Sequence, residues 1–160
     1  MKANITTLLL AGLFLIPAAL ADDVEDVKAA ALEYYVALNA GDADLYAKLN
    51  ADESSIFSAG GGMLSRHNSL EARKQGFQAT VDGGLKRNYN WPKHSEVRVF
   101  GSMFAVESSY TTGSSTSPSG TVTRHRNRAT RIWVKQDGQW KIVHQHYSPM
   151  QPVHPGELER

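Results

Sequence analysis

Residues 130–149, TRIWVKQDGQWKIVHQHYSP, gather most of the side chains in this chain that could do chemistry. His144 and His146 stand two apart, so on a strand they point the same way, roughly 7 Å from each other. An imidazole near its ordinary pKa exchanges a proton at neutral pH, so this pair reads either as satisfied structural histidines or as the candidate general base. Two imidazoles do not complete a zinc site. A third ligand would have to come from His125 or Glu107, and no spacing demands it. Neither a metal nor another cofactor is expected.

Arg131 sits among aromatic and apolar neighbours, where an unpaired guanidinium is costly. It therefore calls for a carboxylate, a carbonyl or a bound anion as partner. If the partner is a bound anion, Arg131 is the candidate ligand anchor, with Trp133 and Tyr147 beside it. Tyr35, Tyr110 and Tyr147 are phenols able to donate to a ligand oxygen or an oxyanion.

Asp137-Gly138 is a hairpin turn between the two strand-like runs that carry these residues. With a two-residue turn, Arg131, Trp133, Trp140, Ile142, His144 and His146 share a face. A one-residue bulge instead groups Arg131 and Trp133 with Val143, Gln145 and Tyr147. Both registers are compatible with the sequence.

The elements that must hold this hairpin are helices first and strands afterwards. Val24, Val27, Ala31, Tyr34 or Tyr35 and Leu38 recur at helical spacing over residues 22–40 behind an acidic start. Gly41 stops that helix and Asp42 caps a short second one through Leu49. A short strand follows at 54–58. Gly60-Gly61-Gly62 is a turn with no phosphate-loop lysine after it. Asn68 and Glu71 have capping-box spacing ahead of a third helix that runs to about Val81. Strands are then expected at 85–89, 95–100, 103–112, 121–135 and 139–147, with 112–120 as a mobile hairpin loop. This segregation gives an α+β fold in which helices cover one face of a strongly curved antiparallel sheet.

Residues 1–21 read as a signal peptide: Lys2, an apolar run to Ile16, Pro17, and Ala19-Leu20-Ala21 ahead of two aspartates. The expected location is periplasmic or secreted, and the apolar run is too short to span a bilayer. Cleavage removes Lys2, leaving 16 basic against 16 acidic residues. Neither nucleic acid nor a membrane surface is an expected partner of a neutral chain. With no cysteine, disulfides, thiolate nucleophiles and zinc–thiolate sites are excluded. Arg124, Arg126 and Arg128 alternate along one strand. They read as a solvated face or a subunit rim, with Glu107 as a pairing partner, and an anionic polymer is the lesser reading for want of interleaved aromatics.

Thr-Arg-x-Trp, Asp-Gly-x-Trp and Val-His-x-His within 130–148 resemble the end of the association (hub) domain of calcium/calmodulin-dependent protein kinase II and its bacterial SnoaL-like relatives, within the nuclear transport factor 2-like superfamily. ALNAGDADLYAKL at 37–49 and the strand order extend the resemblance over residues 22–148, with 149–160 as a loosely held tail. The resemblance implies a cone: a bent sheet wrapped around the long first helix, a pocket at the open end, and a homodimer or larger ring built through the sheet. In hub domains the pocket is arginine-lined and suits small carboxylates. Arg131 matches one such arginine, while the position after His-x-His, also arginine in hubs, is Tyr147 here. The expected function is binding of a small polar or carboxylate-bearing molecule in the cone. The alternatives are a cofactor-independent isomerase, cyclase or lyase using a strand histidine as base, and an oligomerisation scaffold without ligand.

Overall fold

The structure is a computed structural model that describes residues 16–90 and 94–150, with side chains from Asp22 onward. The signal-peptide reading falls largely on 1–15, and most of the tail falls on 151–160, both outside the described residues. Among the described residues three helices precede or interrupt seven strands: α1 (Ile16–Ala40), α2 (Ala43–Lys48), β1 (Asn50–Phe57), β2 (Ser65–His67), α3 (Leu70–Asp82), β3 (Lys86–Asn90), β4 (Ser95–Phe100), β5 (Phe104–Thr116), β6 (Val122–Gln136) and β7 (Gln139–Pro149). No described helix is long and apolar enough to cross a membrane.

Val27, Ala31, Tyr34, Tyr35 and Ala37 put the buried stripe of α1 on one side, and Leu32 and Val36 stay exposed on the other. Gly41, at φ 70°, turns the chain out of α1. Asp42 then caps α2, its carboxylate accepting from the Leu45 amide at 2.9 Å. The cap of α3 is Ser69 rather than Asn68: the Ser69 hydroxyl accepts from the Ala72 amide at 3.2 Å. Glu71 does not reach back. It accepts from Gln75 Nε2 one turn along the helix.

The strands form one sheet in the order β2-β1-β7-β6-β5-β3, with β4 also paired to β5. Every pairing is antiparallel except β1 with β7. β5 and β6 run on to Thr116 and Val122, so the loop expected at 112–120 shrinks to a tight turn closed by Ser117 N to Thr121 O. Where β3 lies against β5, Gly113 has φ 148° and an added Cβ would stand 2.4 Å from the Asn88 carbonyl oxygen. Only glycine lets the two backbones approach this closely.

The hairpin turn has Asp137 and Gly138 both at positive φ, the type I′ geometry the dipeptide favours. A bulge at Val143 then shifts the register, Trp133 facing Ile142 while Ile132 faces His144. The result combines the two expected registers. Trp140 and Ile142 face inward before the bulge, and Gln145 and Tyr147 face inward after it. α1 lies across this concave face against β3 and β4. The core gathers Val27, Ala31, Tyr34, Tyr35, Leu49, Ala105, Trp133, Trp140 and Ile142.

Candidate functional site

The concave face of β5 and β6 places Glu107, Ser109 and Thr111 beside Arg131 and Trp133, because alternate residues of a strand share a side. Arg131 and Glu107 are both fully buried and form an ion pair at 2.7 Å. Glu107 is also the acceptor for Trp133 Nε1 at 3.1 Å and for the Ser109 hydroxyl at 3.0 Å. The partner required by Arg131 is thus a carboxylate of the same chain. Glu107 does not pair with Arg124, Arg126 or Arg128, whose side chains lie on the other side of β6.

The rest of the guanidinium is filled by phenols. Arg131 Nη2 donates to Tyr35 Oη at 2.6 Å and to Tyr147 Oη at 3.0 Å. The Tyr34 and Tyr35 rings lie 4.9 Å from its carbon, within cation–π range. Tyr35 bonds on to Thr111 Oγ1 at 2.7 Å, and Tyr147 donates to Gln145 Oε1 at 2.9 Å. Burial alone would pull the Arg131 pKa down, but Tyr147, Glu107, Tyr35 and Tyr34 hold it well above the usual arginine range. Burial pushes the Tyr147 phenol up to about 12, against the opposing pull of Arg131. Burial, Tyr147 and Tyr46 raise Tyr34 well above its ordinary value. Arg131 therefore keeps its charge, and Tyr34 and Tyr147 keep their protons, at neutral pH.

The residues predicted from sequence fall into two groups. Arg131, Trp133, Tyr147 and Tyr35 come together in this network. Tyr110 lies on the convex face, 46 % exposed. His144 and His146 also lie there, because the bulge turns them away from Arg131. His144 Nδ1 bonds Ser55 Oγ at 2.8 Å, and the Phe57 ring packs against both imidazoles. Among the described residues no group of three histidines or carboxylates could hold a metal ion.

Sequence reasoning missed a second buried arginine. Arg73, from α3, is 2 % exposed and has no carboxylate within ion-pair distance among the described residues. It donates to Ser54 Oγ at 2.5 Å and to Tyr46 Oη at 3.3 Å, its plane lies 5.3 Å from the Tyr46 ring centre, and its Nε has no partner. Tyr46 is stacked on Phe77 at 4.2 Å and packs 5.5 Å from Tyr34. Tyr34 therefore joins the surroundings of the two arginines. Burial and then Arg73 push the nearby His67 below its ordinary pKa, which adds no negative charge to the site. The available signal was helical spacing: Arg73 and Phe77 are four apart, on one face of α3.

Tyr147 is half-buried and also walls a recess of about 400 Å³ between the loop 58–62 and the end of β7, with Phe57 and His146 at its rim. The inner face thus holds two buried guanidiniums, one paired with Glu107 and one not.

The family model of the SnoaL-like domain matches residues 27–152, so the chain belongs to the SnoaL-like domain family. No curated protein matches the sequence significantly. Among solved structures the chain is similar to a candidate calcium/calmodulin-dependent protein kinase II association domain from Xanthomonas campestris, with 23% identity, a TM-score of 0.60, and 96% of this chain and 99% of that one covered. It is similar to a ketosteroid isomerase-like protein from Erwinia carotovora atroseptica, with 19% identity, a TM-score of 0.66, and 82% and 98% covered. It is also similar to a candidate dehydratase of the NTF2-like family from Streptomyces avermitilis, with 18% identity, a TM-score of 0.68, and 82% and 99% covered. At these identities the likeness shows the nuclear transport factor 2-like cone and nothing of the chemistry.

Proposed function

We propose that the protein binds a small carboxylate-bearing molecule inside the cone, with Arg73 as its anchor. The observation that carries this reading is the missing counter-charge. A buried guanidinium with no carboxylate and an unpartnered Nε among the described residues is an expensive group to keep, and a bound anion supplies what it lacks. Arg131, the anchor expected from the sequence, is already neutralised by Glu107 and saturated by phenols. It serves as scaffolding that holds Tyr34, Tyr35 and Tyr147 around the ligand space. Ser54 and the Tyr46 hydroxyl flank Arg73 as further polar contacts. The N-terminal apolar run makes the protein an exported one, so the ligand is met outside the cytoplasm.

The histidine-base alternative draws no support from this geometry, since His144 and His146 face away from the cone. The reading is tested with a panel of short carboxylates, each matched by its neutral amide. A ligand present about 100-fold above its Kd adds about 2.7 kcal/mol of stability, which thermal unfolding detects. Carboxylates should raise the unfolding temperature and amides should not. Arg73→Met should fold with no loss of unliganded stability, because it removes an uncompensated charge, and should lose the carboxylate response. A panel with no stabilising member, or an Arg73→Met protein that still responds, would refute the reading.

A further inference from the structure

The convex face carries a second arrangement that the cone does not use. Arg124, Arg126 and Arg128 are exposed on β6 at alternate positions, about 7 Å apart, and so form a straight row. The register sets Ser114, Thr112 and Tyr110 directly opposite them on β5. Asn88 and Asn90 continue two of these rungs on β3, and Ser148 on β7 continues the third. No residue in these rungs is a carboxylate. None of the ion pairs among the described residues involves the three arginines, whereas Arg98 and Arg131 each have a glutamate.

The row ends in a concavity of about 500 Å³ whose wall includes Arg128, Tyr110, Ser108, Thr130, Ser95 and His94. Glu96, also in the wall, is tied to Arg98 at 2.6 Å. Three like charges in line without counter-charges among the described residues repel one another, and a linear polyanion relieves that repulsion over its whole length.

We propose that this face binds an acidic polysaccharide, its carboxylate or sulfate groups along Arg124, Arg126 and Arg128 and one sugar ring against Tyr110 in the concavity. The flanking hydroxyls and amides match a polyhydroxylated chain. A single tyrosine among three arginines lacks the succession of aromatic platforms on which the bases of single-stranded nucleic acid stack. The site is independent of Arg73 and lies on the opposite side of the sheet.

The test uses the full chain with polygalacturonate and heparin as carboxylate and sulfate probes, dextran as a neutral control, and a single-stranded oligonucleotide. At least one acidic polysaccharide should bind and dextran should not. Affinity should fall steadily as salt rises, because each contact releases counterions. Changing Arg124, Arg126 and Arg128 together to Gln should weaken binding by roughly ten-fold or more without moving the unfolding temperature. Tyr110→Ala should weaken it several-fold. The proposal is overturned if no acidic polysaccharide binds, if the triple variant binds like the parent, or if the oligonucleotide binds as tightly as either polysaccharide. It is also overturned if sedimentation shows a dimer that the triple variant dissociates while polysaccharide binding is absent.

Discussion

Arg131 and Arg73 are both essentially excluded from water, both lie against tyrosine rings, and both project toward the space that α1 covers. They differ in charge balance. Arg131 has Glu107 at 2.7 Å and three hydrogen bonds to phenol oxygens. Arg73 has one serine hydroxyl, one phenol and an unpartnered Nε. On the proposed reading the difference separates architecture from function. A buried cation closed by its own chain has no interaction left to offer a ligand, whereas one left open is an expense that a ligand can relieve.

The comparison breaks most forcefully at Glu107. Glu107→Gln keeps the shape but leaves the Arg131 guanidinium without its counter-charge, and should cost about 3–5 kcal/mol in denaturant unfolding. Replacing Arg131 by Met in the same chain removes the stranded charge and should recover part of that loss. Arg73→Met has no such penalty to show. If Glu107→Gln unfolds no more readily than the parent, the ion pair is not what holds the inner face, and the contrast between the two arginines disappears.

The smaller contribution of the phenols sharpens the same contrast. Tyr35→Phe removes the hydroxyl that accepts from Arg131 and bonds Thr111, both buried, and should cost about 2 kcal/mol. Ser54→Ala, the corresponding change beside Arg73, should cost less than about 1 kcal/mol and should weaken the carboxylate response rather than the fold. Equal losses of stability from the two changes would mean that Arg73 is as structural as Arg131.

Much of the architecture was legible because it rests on local signals. The helical stripe from Val27 to Leu38, the Gly41 stop, the Asp137-Gly138 turn and the alternation of the late strands each follow from one or two residues. The need of Arg131 for a partner was legible too, from its apolar neighbours. Three things were not. The Val143 bulge is a property of two paired strands, and it alone decides that Tyr147 faces in while His144 and His146 face out. Tyr110 has the same residue type as Tyr35, and only its register opposite Arg128 places it on the convex face. Arg73 sits in the polar run EARKQ, where nothing in composition distinguishes it from Lys74. Its burial comes from Tyr46 and Ser54, which are distant in sequence.

Tyr147 joins the closed site to the recess, and its titration gives the finest test of the closed one. Its folded pKa is raised to about 12 by burial, against about 10 for tyrosine in an unfolded chain. Between those values the folded state holds a proton that the unfolded state releases. The stabilisation is therefore fully present below pH about 10 and is lost as pH rises toward about 12. Urea midpoints measured from pH 9 upward should fall over this window. The fall should be shallower in Tyr147→Phe, which has no phenol to titrate there. A residual slope belongs to Tyr34 and Tyr89, raised by burial, and to Lys74 and Lys135, raised by Asp44 and Asp23. Superimposable profiles for parent and variant would mean that Tyr147 releases its proton as easily folded as unfolded, and the phenol cage around Arg131 would then be open to solvent on the side of the recess.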